Sequence, residues 1–256
     1  MSRRRFLSLA VQGAGSLVAA SCAPEARVVP AGPNQGRVAA VAFDLYTLFD
    51  PRGVDRQIEA LLGPTPLGAT WKTRLFEYCW LRAAAGRYLD FERLAHDALE
   101  FAAGVHGLEL DAAHRERLVT SLSELSPWPD TEDTLRALAA HGLRLAPLAN
   151  YSPRMIDHLL GHAGLRAWFE TPISTDRART YKPDPRAYAL GEAQFGLPRH
   201  RIAFAAFGGW DAAGASWFGF PSFWVNRLAV SPDELGARVA TGPDLRAFAH
   251  WVTNGS

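Results

Sequence analysis

Val38-Ala39-Ala40-Val41-Ala42-Phe43-Asp44 is six apolar residues in a row closed by a carboxylate. A strand with one wet face would alternate polar and apolar residues, so this run predicts a short strand covered on both faces. Downstream, Leu143 to Leu148 is a second, mostly apolar run. It follows an amphipathic helix pattern from Thr131 to His141 that stops at Gly142. Ile202 to Phe207 is a third run, preceded by a helix-like stretch from Pro185 to Phe195 and by Gly196, and Ser222 to Val225 is a fourth. Strands alternating with helices predict a parallel α/β sheet. Pro147 interrupts the second run and implies a local bulge if that strand is central.

Between 53 and 126 the pattern changes. Trp71, Leu75, Tyr78 and Leu81 recur at helical spacing, as do Phe91, Leu94, Ala98 and Phe101, while Leu118, Leu122 and Leu125 mark a further helix. No run there reads as a buried strand, so the segment is expected to be a helical insertion after the first strand. The expected division is a core over 37–52 and 127–256 and a helical cap over 53–126.

With 256 residues, 48% hydrophobic and 21% charged, the chain can bury a substantial core. A formal net charge of +1 gives neither the basic field of a nucleic-acid binder nor an acidic solvating tail. The two cysteines, Cys22 and Cys79, form no zinc-type spacing and no disulfide framework, and Cys79 reads as a small buried hydrophobe. The start, Ser2-Arg3-Arg4-Arg5-Phe6-Leu7-Ser8 followed by a mild apolar run to Ala20, has the pattern of an export signal too short to span a bilayer. Its paired arginines resemble a twin-arginine signal, and Ala19-Ala20-Ser21-Cys22 resembles a bacterial lipobox. Residues 1–22 are therefore expected to direct export, to the periplasm or to a membrane anchored through lipidated Cys22. A tether with Pro24, Pro30 and Pro33 follows over 23–36.

Ligands of open α/β sheets bind beyond the carboxyl ends of the strands, so the polar residues that close the apolar runs are the candidates. The first run ends at Asp44, the second at Asn150 and the third at Gly208-Gly209-Trp210-Asp211; Lys182 lies in Thr180-Tyr181-Lys182-Pro183-Asp184-Pro185, just before a helix start. A carboxylate beside a lysine is a workable covalent-catalysis pair, because the cation keeps the acid ionised and nucleophilic.

The residues Phe43-Asp44-Leu45-Tyr46-Thr47-Leu48-Phe49-Asp50 resemble the first motif of the haloacid dehalogenase superfamily, in its 2-haloacid dehalogenase branch. Leu148 to Pro153 resembles the second motif, Tyr181 to Asp184 the third, and Trp210 to Ala215 with Phe218-Gly219-Phe220-Pro221 and Trp224 to Arg227 the fourth and its continuation. Glu77 to Arg82 fits the family's cap, and the likeness runs from about Arg37 to Val252. The resemblance implies a Rossmann-like parallel-sheet core with an inserted all-helical cap. It also implies a small-molecule partner, a 2-haloalkanoic acid, with the possibility of a homodimer left open. Asp44 would displace halide from C2 and form an ester, which water would hydrolyse with inversion. Lys182 would orient Asp44, and Asp211 would position Lys182 or the water. Thr47, Lys72, Asn150, Ser152 and Tyr188 would serve the substrate site, and Tyr46, Phe76, Phe91 and Trp210 would wall it. Phosphatases of the superfamily carry a second aspartate two residues after the nucleophile, where this chain has Tyr46, and hold Mg²⁺ with carboxylates where it has Gly208-Gly209. A halide leaves without protonation, so neither a metal nor another cofactor is expected.

The chain departs from the family pattern at several places. A glycine is missing between Tyr46 and Thr47, Ala149 stands for a Ser or Thr, Ala206, Phe207 and Gly208 replace a stretch with serine and asparagine, and Lys72 stands for an arginine, with Arg74 nearby as a substitute. Two other functions therefore remain open from the residues: an impaired protein of this fold kept for binding or structure, and a phosphatase.

Overall fold

A computed structural model describes residues 37–254. The expected leader, the tether and the lipidation at Cys22 lie outside the described residues.

The first strand, β1 (Ala40–Phe43), is buried along its whole length. Its side chains divide between two cores. Val41 and Phe43 face a large cluster with Leu145 and Phe248, whereas Ala40 and Ala42 face a second cluster with Tyr188 and Phe204. The small alanines leave that second face room for large rings. After a helical turn, α1 (Leu45–Leu48), come four helices: α2 (Arg52–Leu62), α3 (Leu67–Ala84), α4 (Phe91–Val105) and α5 (Ala112–Ser121). Asp90 and Asp111 start α4 and α5 by accepting the backbone N–H groups of Arg93 and His114. Trp71, Leu75 and Cys79 form the buried stripe of α3, and the Trp71 indole donates to the Ala95 carbonyl of α4 at 2.8 Å. Leu81, ten residues past Trp71, is 63% exposed, because ten steps of a helix rotate it about a quarter-turn off that stripe.

The rest of the sheet follows as β2 (Arg144–Ala149), β3 (Ile173–Ser174), β4 (Ile202–Ala206), β5 (Ser222–Val225) and β6 (Ala240–Gly242), all parallel in the order β3-β2-β1-β4-β5-β6. Helices α6 (Thr131–Ala140), α7 (Pro153–His162) and α10 (Leu245–Asn254) pack into the first core, and α8 (Pro185–Phe195) and α9 (Gly209–Phe218) into the second. The architecture is an α/β core with a helical cap.

Pro147 makes no bulge. The pairing of Ala40 with Arg144 through Phe43 with Pro147 is unbroken. Glu170 donates to the Leu145 carbonyl at 2.9 Å, so the odd-numbered residues of β2 turn toward β3. The donor that Pro147 lacks thus faces the side where β3 pairs only with Leu148 and Ala149, and no ladder bond is lost.

Candidate active site

Three neighbouring strands deliver the polar groups. Asp44 follows β1 directly and is the N-cap of α1, its Oδ2 accepting from Tyr46 N at 3.2 Å. Asn150 follows β2, and its Oδ1 accepts the backbone N–H of Lys182 at 2.9 Å. Asp211 lies in the first turn of α9, which begins just beyond β4. The Lys182 ammonium bridges the two acids, at 2.8 Å from Asp44 Oδ1 and 2.7 Å from Asp211 Oδ2. Tyr188 of α8 donates its hydroxyl to Asp211 Oδ1 at 2.7 Å. From the cap side, the Trp80 indole of α3 donates to the Lys182 carbonyl at 3.1 Å.

The three charges differ in their access to solvent. The Lys182 and Asp211 side chains are each 1% exposed and that of Asp44 18%, so Asp44 is the acid presented to a ligand. Burial alone would lower the lysine's affinity for its proton, but the attraction of Asp211 and then Asp44 overcomes it and raises the Lys182 pKa. Burial pushes the Asp211 carboxyl up to about 6, with Lys182 opposing and the charge on Asp44 adding to the rise. Burial also pushes the Tyr46 phenol up to about 12, so it is neutral near pH 7.

Asp44, Lys182 and Asp211 line a cavity of about 230 Å³ between core and cap. Its wall holds Tyr46, Phe76, Phe91 and Trp210, as expected from the sequence, and also Tyr151 and Phe207. Lys72 and Arg52 are the remaining cations of the lining; Lys72 Nζ is 3.6 Å from Asp55, and Arg52 is held by both oxygens of Asp50 at 2.8 and 3.0 Å.

A family model of haloacid dehalogenase-like hydrolases matches residues 38–219. The chain is 43% identical over 199 residues to an (S)-2-haloacid dehalogenase of Pseudomonas sp. (strain YL), covering 77% of this chain and 86% of that protein. The chain belongs to the haloacid dehalogenase-like hydrolases. It is also 36% identical to haloacetate dehalogenase H-2 of Moraxella sp. (strain B), covering 84% of this chain and 98% of that one. The solved structure of an L-2-haloacid dehalogenase from Xanthobacter autotrophicus superposes with a TM-score of 0.79 at 32% identity, covering 86% of this chain and all of that one (100%).

Within this haloacid dehalogenase-like fold, several expected site residues have other partners. Thr47 is fully buried and donates its hydroxyl to the Asp44 carbonyl at 2.6 Å, away from the cavity lining. Ser152 caps α7 by accepting from Met155 N at 3.3 Å and is likewise outside the lining. Tyr188 reaches the site only through Asp211, and Asn150, although in the lining, spends its carbonyl oxygen on Lys182. Arg74 does not substitute for an arginine at position 72. It pairs with Glu77 at 2.9 Å and stacks on Phe101 at 4.0 Å. A Cβ at 208 would stand 2.7 Å from the Trp210 indole nitrogen, so Gly208 is what allows that ring to fold back against its own backbone. The sequence reading missed Tyr151, Arg52 and Leu228 as lining residues. For Tyr151 there was a signal, since it directly follows Asn150 at a strand end.

Proposed function

We propose that the protein removes halide from an (S)-2-haloalkanoic acid and releases the 2-hydroxy acid. The observation that carries this is the one ammonium held between two carboxylates at the cavity wall, only one of them accessible. The relatives named as (S)-2-haloacid and haloacetate dehalogenases support the same chemistry. An oxygen of Asp44 forms a bond to C2 as the carbon–halogen bond breaks, and the halide departs with the electron pair, so no acid is required. Lys182, 2.8 Å from Asp44 Oδ1, orients the carboxylate for that attack. Water then adds to the aspartyl carbonyl of the ester, with Lys182 offsetting the negative charge on the carbonyl oxygen. Asp211 is the ionised carboxylate left in the lining to take the water's proton while Asp44 is esterified. Collapse expels the product alkoxide, which takes the proton back from Asp211 to become the hydroxy acid, and Asp44 gives the water's second proton to solvent; configuration at C2 is inverted.

Chloride release from a panel of (S)-2-chloro acids is the direct test. Turnover is expected to be unchanged by EDTA or added Mg²⁺, because Tyr46, Gly208 and Gly209 offer no carboxylate beside Asp44 and Asp211 to hold a divalent cation. Activity lost in EDTA, restored by Mg²⁺ and directed at a phosphate ester would overturn the proposal.

The acid limb of the pH profile is set by Asp211. Its carboxyl, at about 6, is neutral below that pH and ionised above it, and it acts on the ester after halide has left, so kcat, which includes ester hydrolysis, should fall as pH drops through about 6. Tyr188→Phe removes a hydrogen bond that favours the ionised form and should move the limb to higher pH. A limb that stays in place would detach Asp211 from the profile.

A further inference from the structure

The six rings of the cavity fall into two contact groups. Phe76 and Trp210 meet edge to face at 5.8 Å. In the second, which forms a continuous wall, Phe207 packs on Tyr46 at 5.8 Å, Tyr46 on Tyr151 at 6.3 Å and Tyr151 on Phe91 at 4.7 Å between centroids. The two phenols do not make this wall polar. Tyr151 donates to the Leu122 carbonyl at 3.1 Å and its oxygen lies 3.1 Å from that of Tyr46, so the Tyr46 proton is directed at Tyr151 and both hydroxyls are satisfied within the wall. Ala149 adds a methyl group to the lining. The charged groups of the lining are Asp44, Lys182 and Asp211, where the core strands end, and Lys72 and Arg52, from α3 and α2.

An apolar cavity of about 150 Å³ accommodates benzene. At about 230 Å³, this one has room for such a ring together with a carbon, a halogen and a carboxylate. An acid of two or three carbons would leave most of the aromatic wall facing void or poorly bonded water. An aryl ring would meet edges and faces disposed for T-shaped contacts. Resting on the dehalogenase reading above, we propose that the pocket selects 2-halo acids whose C2 substituent carries a phenyl-sized ring, with the carboxylate toward Lys72 and Arg52 and C2 at Asp44.

The test compares (S)-2-chloro-3-phenylpropanoate with (S)-2-chloropropanoate, in which C2 has similar intrinsic reactivity, on the full-length protein. In parallel, calorimetry measures binding of the unreactive acids 3-phenylpropanoate and propanoate. The phenyl substrate is expected to have at least a tenfold higher kcat/KM and the phenyl ligand at least a tenfold lower Kd. Phe76→Ala should shrink both ratios severalfold. Equal or faster turnover of 2-chloropropanoate, or equal binding of the two unreactive acids, overturns the selection of an aryl ring. Tighter phenyl binding with no halide release from either substrate would sink the dehalogenase reading and leave the aryl pocket standing.

Discussion

Asp44→Asn is expected to reduce halide release by a factor on the order of 10⁴ or more while leaving the fold intact. Asparagine is as good an N-cap as aspartate, so the bond from Tyr46 N that starts α1 persists, and Lys182 keeps Asp211 as its counter-ion. What disappears is the nucleophilic carboxylate. A single turnover of the unaltered protein in ¹⁸O-labelled water should place label in the Asp44 side chain, since water attacks the aspartyl carbonyl of the ester. Asp50, the nearest rival in sequence, is held at both oxygens by Arg52 and is absent from the cavity lining. Full activity in Asp44→Asn, or label appearing only in the hydroxy acid from the first turnover, would remove Asp44 from the mechanism.

Lys182→Ala should cost both activity and stability. Without the ammonium, Asp44 and Asp211 share a site with no cation between them, and Asp211 is buried with only the Tyr188 hydroxyl left on its carboxylate. Breaking a buried ion pair by deleting one partner typically destabilises by about 3–5 kcal/mol, and kcat should fall on the order of 10²–10³-fold as Asp44 loses its orienting charge. The stability loss has a defined pH dependence. Burial and Asp44 already raise the Asp211 pKa to about 6, and removing Lys182 raises it further. The folded variant therefore binds a proton that the unfolded chain releases, and its stability falls as pH rises through the folded pKa. Urea unfolding at pH 5.5 and pH 8 should show the larger deficit at pH 8. An unaltered midpoint at pH 8 would contradict a lysine that holds the buried Asp211 carboxylate.

What could be read from the chain follows from how locally each feature is encoded. The β1 run and Asp44 were legible because a strand buried on both faces leaves an unbroken apolar signature that ends where the sheet ends. Asp44, Asn150, Lys182 and Asp211 were legible as an ordered set, and they do converge. β3 and β6, of two and three residues, are too short to show a period. Sequence order gives a residue's place along the chain but not its rotamer. The Thr47 and Ser152 hydroxyls were expected at the substrate and instead bond nearby backbone. Arg74 lies two positions past Lys72, and its ring contact with Phe101 depends on the packing of α3 against α4. Leu228, far along the chain, reaches the lining only through tertiary packing.

The shortness of β3 and β6 has a meaning beyond legibility. They are the two margins of the sheet, the places where unpaired backbone donors and acceptors would otherwise offer a template to another chain. A margin of two or three residues gives an incoming strand almost nothing to zip against, while the more extended apolar strands, β1, β2, β4 and β5, are enclosed between neighbours on both sides. The sheet is thereby protected from growing into a cross-chain ribbon at high concentration.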